Sequence, residues 1–240
     1  MLILFKYFEK LGVNNLQAII VNYFTAGILA LLNTRSDGIT IDFQEIINSS
    51  YFSSAFIIGL LFIILFNLLA FATQKIGLAV TTVANKMAMI VPVIFGIYVF
   101  SENLDLLKVI GFLLAIIAIY LTSTKNGKLG FDKRYLLLVI LIFVGQGLAD
   151  STLSWTEKTI LNPENSTLFF ASIFIISGTL GSLFLVYDLT KNKAKLKSRN
   201  LLWGIILGVP NYLTLYFFVK ALKSEIFESS QVFPIVNMGV

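Results

Sequence analysis

Four stretches of this chain run for 20 or more positions without a charged residue: Leu11–Thr34 (24 residues), Ile46–Gln74 (29), Asn165–Tyr187 (23) and Asn200–Val219 (20). The hydrocarbon core of a bilayer is about 30 Å thick and a helix rises about 1.5 Å per residue, so roughly 20 apolar residues in a helix cross it. A soluble domain needs a polar face on its surface helices and rarely carries one such run, let alone four. Composition agrees. Apolar residues make up 57% of the chain and charged residues 13%, where a soluble domain carries about 25% charge. The same figures exclude disorder. The sequence therefore reads as an all-α membrane protein, a polytopic helix bundle.

Three further spans are shorter or interrupted by a charge. Residues 78–100 are apolar except for Lys86, residues 107–123 include the 16-residue uncharged run Val109–Thr124, and residues 134–153 are apolar up to Asp150. Residues 1–11 read as the end of a helix and 226–240 as the start of another. That makes about seven full spans and two partial ones. Chain ends within hydrophobic helices suggest a sequence shortened at both ends. The alternative lays both stubs in the interface as short amphipathic segments. The opening MLILFKYFEK carries its charges after the apolar stretch, the reverse of a cleavable signal.

Lysine and arginine set the expected orientation. One side of the membrane would hold Lys10, Lys75, Lys125, Lys128, Lys133, Arg134, Lys191, Lys193, Lys195, Lys197 and Arg199. The other would hold Arg35, Lys108, Lys158, Lys220 and Lys223, together with most of the acid: Asp37, Asp42, Glu45, Glu102, Asp105, Glu157 and Glu164. The richer side, with loops 125–134 and 191–199, is expected in the cytoplasm, and the bilayer itself, a bacterial inner membrane, is the expected location. The net charge of +5 is thus assigned to loops rather than to a nucleic-acid partner. A homodimer is left open.

The chain has no histidine and no cysteine. That removes imidazole-based triads, Cys/His zinc sites, axial haem histidines and disulfides. No Walker motif is present, no metal or cofactor is expected, and the chain is not expected to be an enzyme. Among intramembrane proteases, an aspartyl enzyme would need two membrane aspartates, and only Asp150 qualifies. A Ser–Lys type dyad would need Lys86 beside a hydroxyl such as Thr81 or Thr82.

A charge at the centre of a membrane helix costs about 2.5–3.5 kcal/mol, so Lys86 should face protein, water or a partner. It is the leading candidate for a transport pathway; a structural ion pair or snorkelling is the bland alternative. Gln146, Asp150 and Ser154 lie four apart and share a helix face near the outer end of their span. Asn67, Asn85, Asn211 and Tyr216 complete the candidate pathway, each able to bond a solute or only a neighbouring helix. Pro92, Pro210 and Pro234 lie within spans and are expected helix breaks. Gly204 and Gly208, like Ser177 and Gly181, are spaced for close helix packing.

Residues 79–96, AVTTVANKMAMIVPVIFG, and residues 221–238, ALKSEIFESSQVFPIVNM, align with their alanines and prolines matched. Lys86 and Glu228 each precede the proline by six positions, and Asn67 lies in surroundings like those of Asn211. An odd number of spans between copies turns them into inverted repeats, with a solute site near mid-membrane. A Lys86–Glu228 pair across the axis would neutralise both charges; a helix N-terminal acid is the alternative role for Glu228.

The segment FATQKIGLAVTTVANKMAMIVPVIFGIYVFSENLDLLKVIGFLLAIIAIYLTS (71–123) resembles the fourth and fifth helices of an EamA-type carrier of the drug/metabolite transporter superfamily, through the small-residue run into Pro92, then Glu102, Lys108 and Gly111. YFFVKALKSEIFESSQVFPI (216–235) resembles the same unit in a second half. The resemblance implies ten helices in two inverted five-helix halves, here residues 1–124 and 125–240. It also implies a secondary carrier of a small metabolite, such as an amino acid or a related or drug-like compound, driven by a proton, ion or solute gradient. A non-transporting membrane assembly protein is the alternative function, and an intramembrane enzyme a more distant one.

Overall fold

The structure is a computed structural model; it describes residues 1–36, 38, 41–101, 106, 110, 113–114, 117, 121, 124–125, 128–129, 132–162, 165–191 and 195–223. Nine helices follow one another among these: α1 (Leu2–Leu11), α2 (Asn15–Ser36), α3 (Phe43–Asn48), α4 (Phe52–Lys75), α5 (Leu78–Met87), α6 (Ile90–Val99), α7 (Leu136–Thr159), α8 (Ser166–Lys191) and α9 (Ser198–Lys223). A 3-10 turn (Lys133–Tyr135) leads into α7, and Thr124–Lys125 pairs with Lys128–Leu129 in a minimal antiparallel ladder. Five segments are long and apolar enough to cross a membrane: Asn15–Ser36, Phe52–Lys75, Leu78–Val99, Lys133–Thr159 and Ser166–Lys191. The 26-residue α9 is a further long helix. The protein is thus a helical bundle of membrane type. The expected span at 107–123 and the partial helix at 226–240 lie largely or wholly outside the described residues.

Helix α2 is the hub. Ala18, Ala26 and Ala30 on it are fully buried, because small residues let neighbouring backbones approach. Helix α9 lies parallel to α2. A Cβ added to Gly204 would stand 2.7 Å from the Ala18 carbonyl oxygen, and one on Gly208 would stand 2.8 Å from that of Asn22. The Gly204–Gly208 spacing is therefore a packing seam. Helix α8 runs antiparallel to α2, with Ile175 over Gly27 and Ile20 over Gly181. It runs parallel to α4, where the Ser177 hydroxyl donates to the Gly59 carbonyl at 2.9 Å. Outward faces are apolar too: Phe56, Ile57 and Ile64 on α4, and Leu201, Leu202 and Ile205 on α9, are exposed. Such faces suit lipid, which offers no hydrogen bonds, while every helix satisfies its own backbone.

Helix α1 is packed into the bundle rather than lying free. Phe5 and Phe8 on it are buried, Phe5 edge-on to Phe66 of α4 and Phe8 edge-on to Trp203 of α9. It ends as expected at residue 11, where Gly12 takes the left-handed conformation (φ 61°) and its N–H bonds the Glu9 carbonyl. The Arg199 guanidinium closes on the Gly12 carbonyl at 2.9 Å.

Charge separates between the ends of the bundle. Asn15 at the start of α2 bonds Gln74 at the end of α4, Gln17 donates to the Lys195 carbonyl, and Tyr135 packs edge-on against Phe71. These contacts gather Lys10, Lys75, Lys133, Arg134, Lys195, Lys197 and Arg199 at one end. At the opposite end, a polar cleft of about 830 Å³ is lined by Asp42, Glu45, Tyr51, Asn162 and Asn165. There Asp42 caps α3 by accepting the Gln44 N–H at 2.8 Å, and burial raises the Tyr51 phenol above its usual range.

Candidate functional site

The site begins with a broken helix. Proline has no N–H, and its ring crowds the carbonyl four residues back. For Pro92 that residue is Ala88, and the helix breaks there: α5 stops at Met87 and α6 starts at Ile90. Across the gap the backbone tightens. Met89 N–H reaches the Lys86 carbonyl (3.4 Å) and Val91 N–H the Ala88 carbonyl (3.0 Å). Lys86 therefore occupies the last turn of a half-helix, where the negative end of the peptide dipoles favours a cation.

Pro210 behaves differently. Helix α9 passes through it uninterrupted, correcting the expected break. The neighbouring Gly204 and Gly208 clamp α9 along α2, and the Thr214 hydroxyl donates to the Pro210 carbonyl at 2.9 Å. Close packing against α2 keeps the helix continuous where one backbone bond is lost. Pro234, the third expected break, lies outside the described residues.

Lys86 faces a cavity of about 660 Å³ bounded by α1, α4, α5, α7, α8 and α9. Its polar lining is Thr82, Asn85, Lys86, Gln146, Asp150, Asn211 and Thr214; Phe62, Phe66, Phe170 and Phe174 form an aromatic wall. The sequence places Asp150 near the outer end of its span. In the structure α7 continues to Thr159, so Asp150 sits mid-helix. The span extends because its polar tail, including Lys158, finds partners at the bundle end: the Lys158 ammonium lies 4.5 Å from the Phe100 ring centre.

The Gln146 amide donates to Asp150 Oδ1 at 2.9 Å, as their spacing of four on α7 requires. Lys86 and Asp150 line the same cavity, yet among the described residues no ion pair within 4.0 Å joins them. Asn85 Oδ1 is buried without a hydrogen-bond donor. The Thr81 and Thr82 hydroxyls turn back on the Gly77 and Leu78 carbonyls (2.9 and 2.7 Å), so neither is engaged by Lys86 as a Ser–Lys type dyad would need. Asn211 donates to Asn22 Oδ1 at 3.1 Å and ties the cavity wall to α2.

Six of the expected residues thus converge on one cavity: Lys86, Asp150, Gln146, Asn85, Asn211 and Pro210. Asn67 does not line it; its amide donates to the Ile63 carbonyl of its own helix at 2.8 Å. Tyr216 also stands apart, its ring tilted against Tyr212 and edge-on to Phe217. Glu228 lies outside the described residues; among those described, the acid that shares the cavity with Lys86 is Asp150. The four cavity phenylalanines were not separable in the sequence from 18 others among its 22, since apolar helices carry phenylalanine toward lipid and toward cavities alike.

No family model and no solved structure matches this chain. Among curated proteins, an uncharacterized protein of Haemophilus influenzae is 27% identical over 241 residues, an alignment that covers 99% of this chain and 80% of that protein.

Proposed function

We propose that this chain is a secondary carrier that moves a small solute across the membrane by alternating access, with the Lys86–Asp150 cavity as its solute site. The observation that carries the reading is an amine and a carboxylate on opposing helices, facing one cavity without forming an ion pair. Burying two charges is costly unless something completes them. A dipolar solute with an apolar body, such as an amino acid or a relative of one, supplies a carboxylate for Lys86, an ammonium for Asp150 and a surface for the phenylalanines.

The inverted-repeat scheme draws support from helix directions. Helices α2 and α8 run in opposite senses, as do α4 and α9, and the parallel contacts α2–α9 and α4–α8 exchange when the halves are swapped. The basic end is the cytoplasmic end in this reading, by the excess of lysine and arginine there. An assembly protein would be served better by a closed core with Lys86 paired.

The test is uptake of radiolabelled amino acids into proteoliposomes. Lys86→Met and Asp150→Asn should each lower the flux about tenfold or more, since a charge-assisted contact contributes about 1.5–3 kcal/mol. Unchanged flux in both variants would remove the proposal.

A further inference from the structure

Three features meet beneath the cavity at the basic end. First, the side-chain amides of Asn15 and Gln74 bond each other reciprocally: Asn15 Nδ2 to Gln74 Oε1 at 3.2 Å and Gln74 Nε2 to Asn15 Oδ1 at 3.0 Å. Gln74 Nε2 also donates to the Phe5 carbonyl at 3.1 Å, and the Lys6 ammonium reaches the Gln74 carbonyl at 3.4 Å. One side chain therefore ties α1, α2 and α4 together. Second, an aromatic layer lies between this cluster and the solute site. Phe5 packs edge-on against Phe66 (6.1 Å between ring centres), and Tyr23 packs against Phe66 (5.2 Å) and Phe174 (6.1 Å). Phe66 and Phe174 are themselves cavity walls. Third, the neighbouring seam is of another kind: α2 and α9 interlock through Gly204 and Gly208, and the Gln17–Asn200 pair at its end is buried.

The contrast decides which seam can part. Glycine-packed backbones lose all their contacts on separation and gain nothing from water. Amides at a half-exposed mouth exchange each other for water at small net cost, because water replaces each bond that breaks. Asn15 and Gln74 are only half-buried. An aromatic layer behind such a polar pair excludes water while the pair is closed.

We propose that the Asn15–Gln74 amide pair, backed by Phe5 and Phe66, is the gate that shuts the cavity toward the basic end of the bundle. The gate rests on the carrier reading for its purpose, but its opening is observable without any flux. In the closed state, α1 and α4 are held against α2. In the open state the two amides are hydrated, Phe5 withdraws from Phe66, and the cavity communicates with the basic side.

The chain has no cysteine, so a single Thr82→Cys reports the cavity with no background. The full chain carrying it is reconstituted in liposomes, and its orientation is established by access of a membrane-impermeant maleimide to a Lys197→Cys control. The rate of maleimide reaction at Thr82→Cys from the basic side is then measured with and without Gln74→Ala. Loss of the latch should raise that rate about tenfold, the change expected when roughly 1.4 kcal/mol leaves the closed state. Gln74→Glu provides a second variant of nearly the same size. It removes the donor to Asn15 and Phe5 and should accelerate labelling in the same direction. Phe5→Ala should do so as well. Equal rates in all variants, each eluting as a single folded species, would overturn the gate. Accelerated labelling in a protein that carries no solute would keep the gate and remove the carrier reading.

Discussion

At the scale of single residues, polar groups in this bundle divide by whether their own helix already satisfies them. Asn67 and Asn85 occupy comparable apolar stretches and read alike in the sequence. The Asn67 amide is spent on the Ile63 carbonyl, whereas Asn85 Oδ1 is buried beside Lys86 with no donor. An unpaired buried acceptor costs about 1–3 kcal/mol, and a solute N–H can recover that when it binds. Asn85→Ala should therefore weaken solute uptake while leaving thermal unfolding unchanged or slightly raised; Asn67→Ala should leave uptake within about twofold. Uptake kinetics and the unfolding transition followed by Trp155 and Trp203 fluorescence check both. Charge within an apolar run is legible from sequence, which is why Lys86 and Asp150 could be singled out. Their juxtaposition was not legible, because the partner helix of Lys86 depends on packing between distant segments. Asn67 and Tyr216 show the same limit from the other side: a side chain's partner is invisible until its rotamer and neighbours are known.

At the scale of helices, two prolines had opposite outcomes for a physical reason that lies outside either local sequence. Both remove one backbone bond, yet Pro92 breaks its span and Pro210 does not. Helix α9 is braced against α2 by the glycine contacts before Pro210 and by the Asn211–Asn22 hydrogen bond just after it. The segment at Pro92 has looser surroundings; its α6 half buries only Gly96. Pro92→Ala should let α5 and α6 fuse, restoring an interior hydrogen bond, and should stabilise the protein by up to about 3 kcal/mol. If the protein is the carrier proposed above and the break serves as a hinge for Lys86, the same change should slow uptake. A higher unfolding temperature together with lower turnover is the expected signature; faster turnover would contradict it. The long helices α2, α4, α8 and α9 were plain from the uncharged runs, and α1 and α4 ended at Leu11 and Lys75, where the sequence puts them. Helix α7 did not, since the polar tail to Thr159 is held by tertiary contacts such as Lys158 over Phe100.

At the scale of the whole molecule, one end of the bundle is basic and held by amides, and the other is acidic with a wide polar cleft. The break after Lys86 divides that span into two rods of ten residues each, and the amine rides at the end of the first. Any swing of α5 between the two sides displaces a full positive charge along the membrane normal. The bilayer potential does work on such a displacement, about 2.3 kcal/mol for a charge moved through 100 mV. Turnover should accordingly respond to voltage, with a transient current on a solid-supported membrane even before net uptake begins. Replacing Lys86 with methionine should silence that current, which would trace the voltage response of the proposed carrier to the same bend in the backbone that frames the cavity.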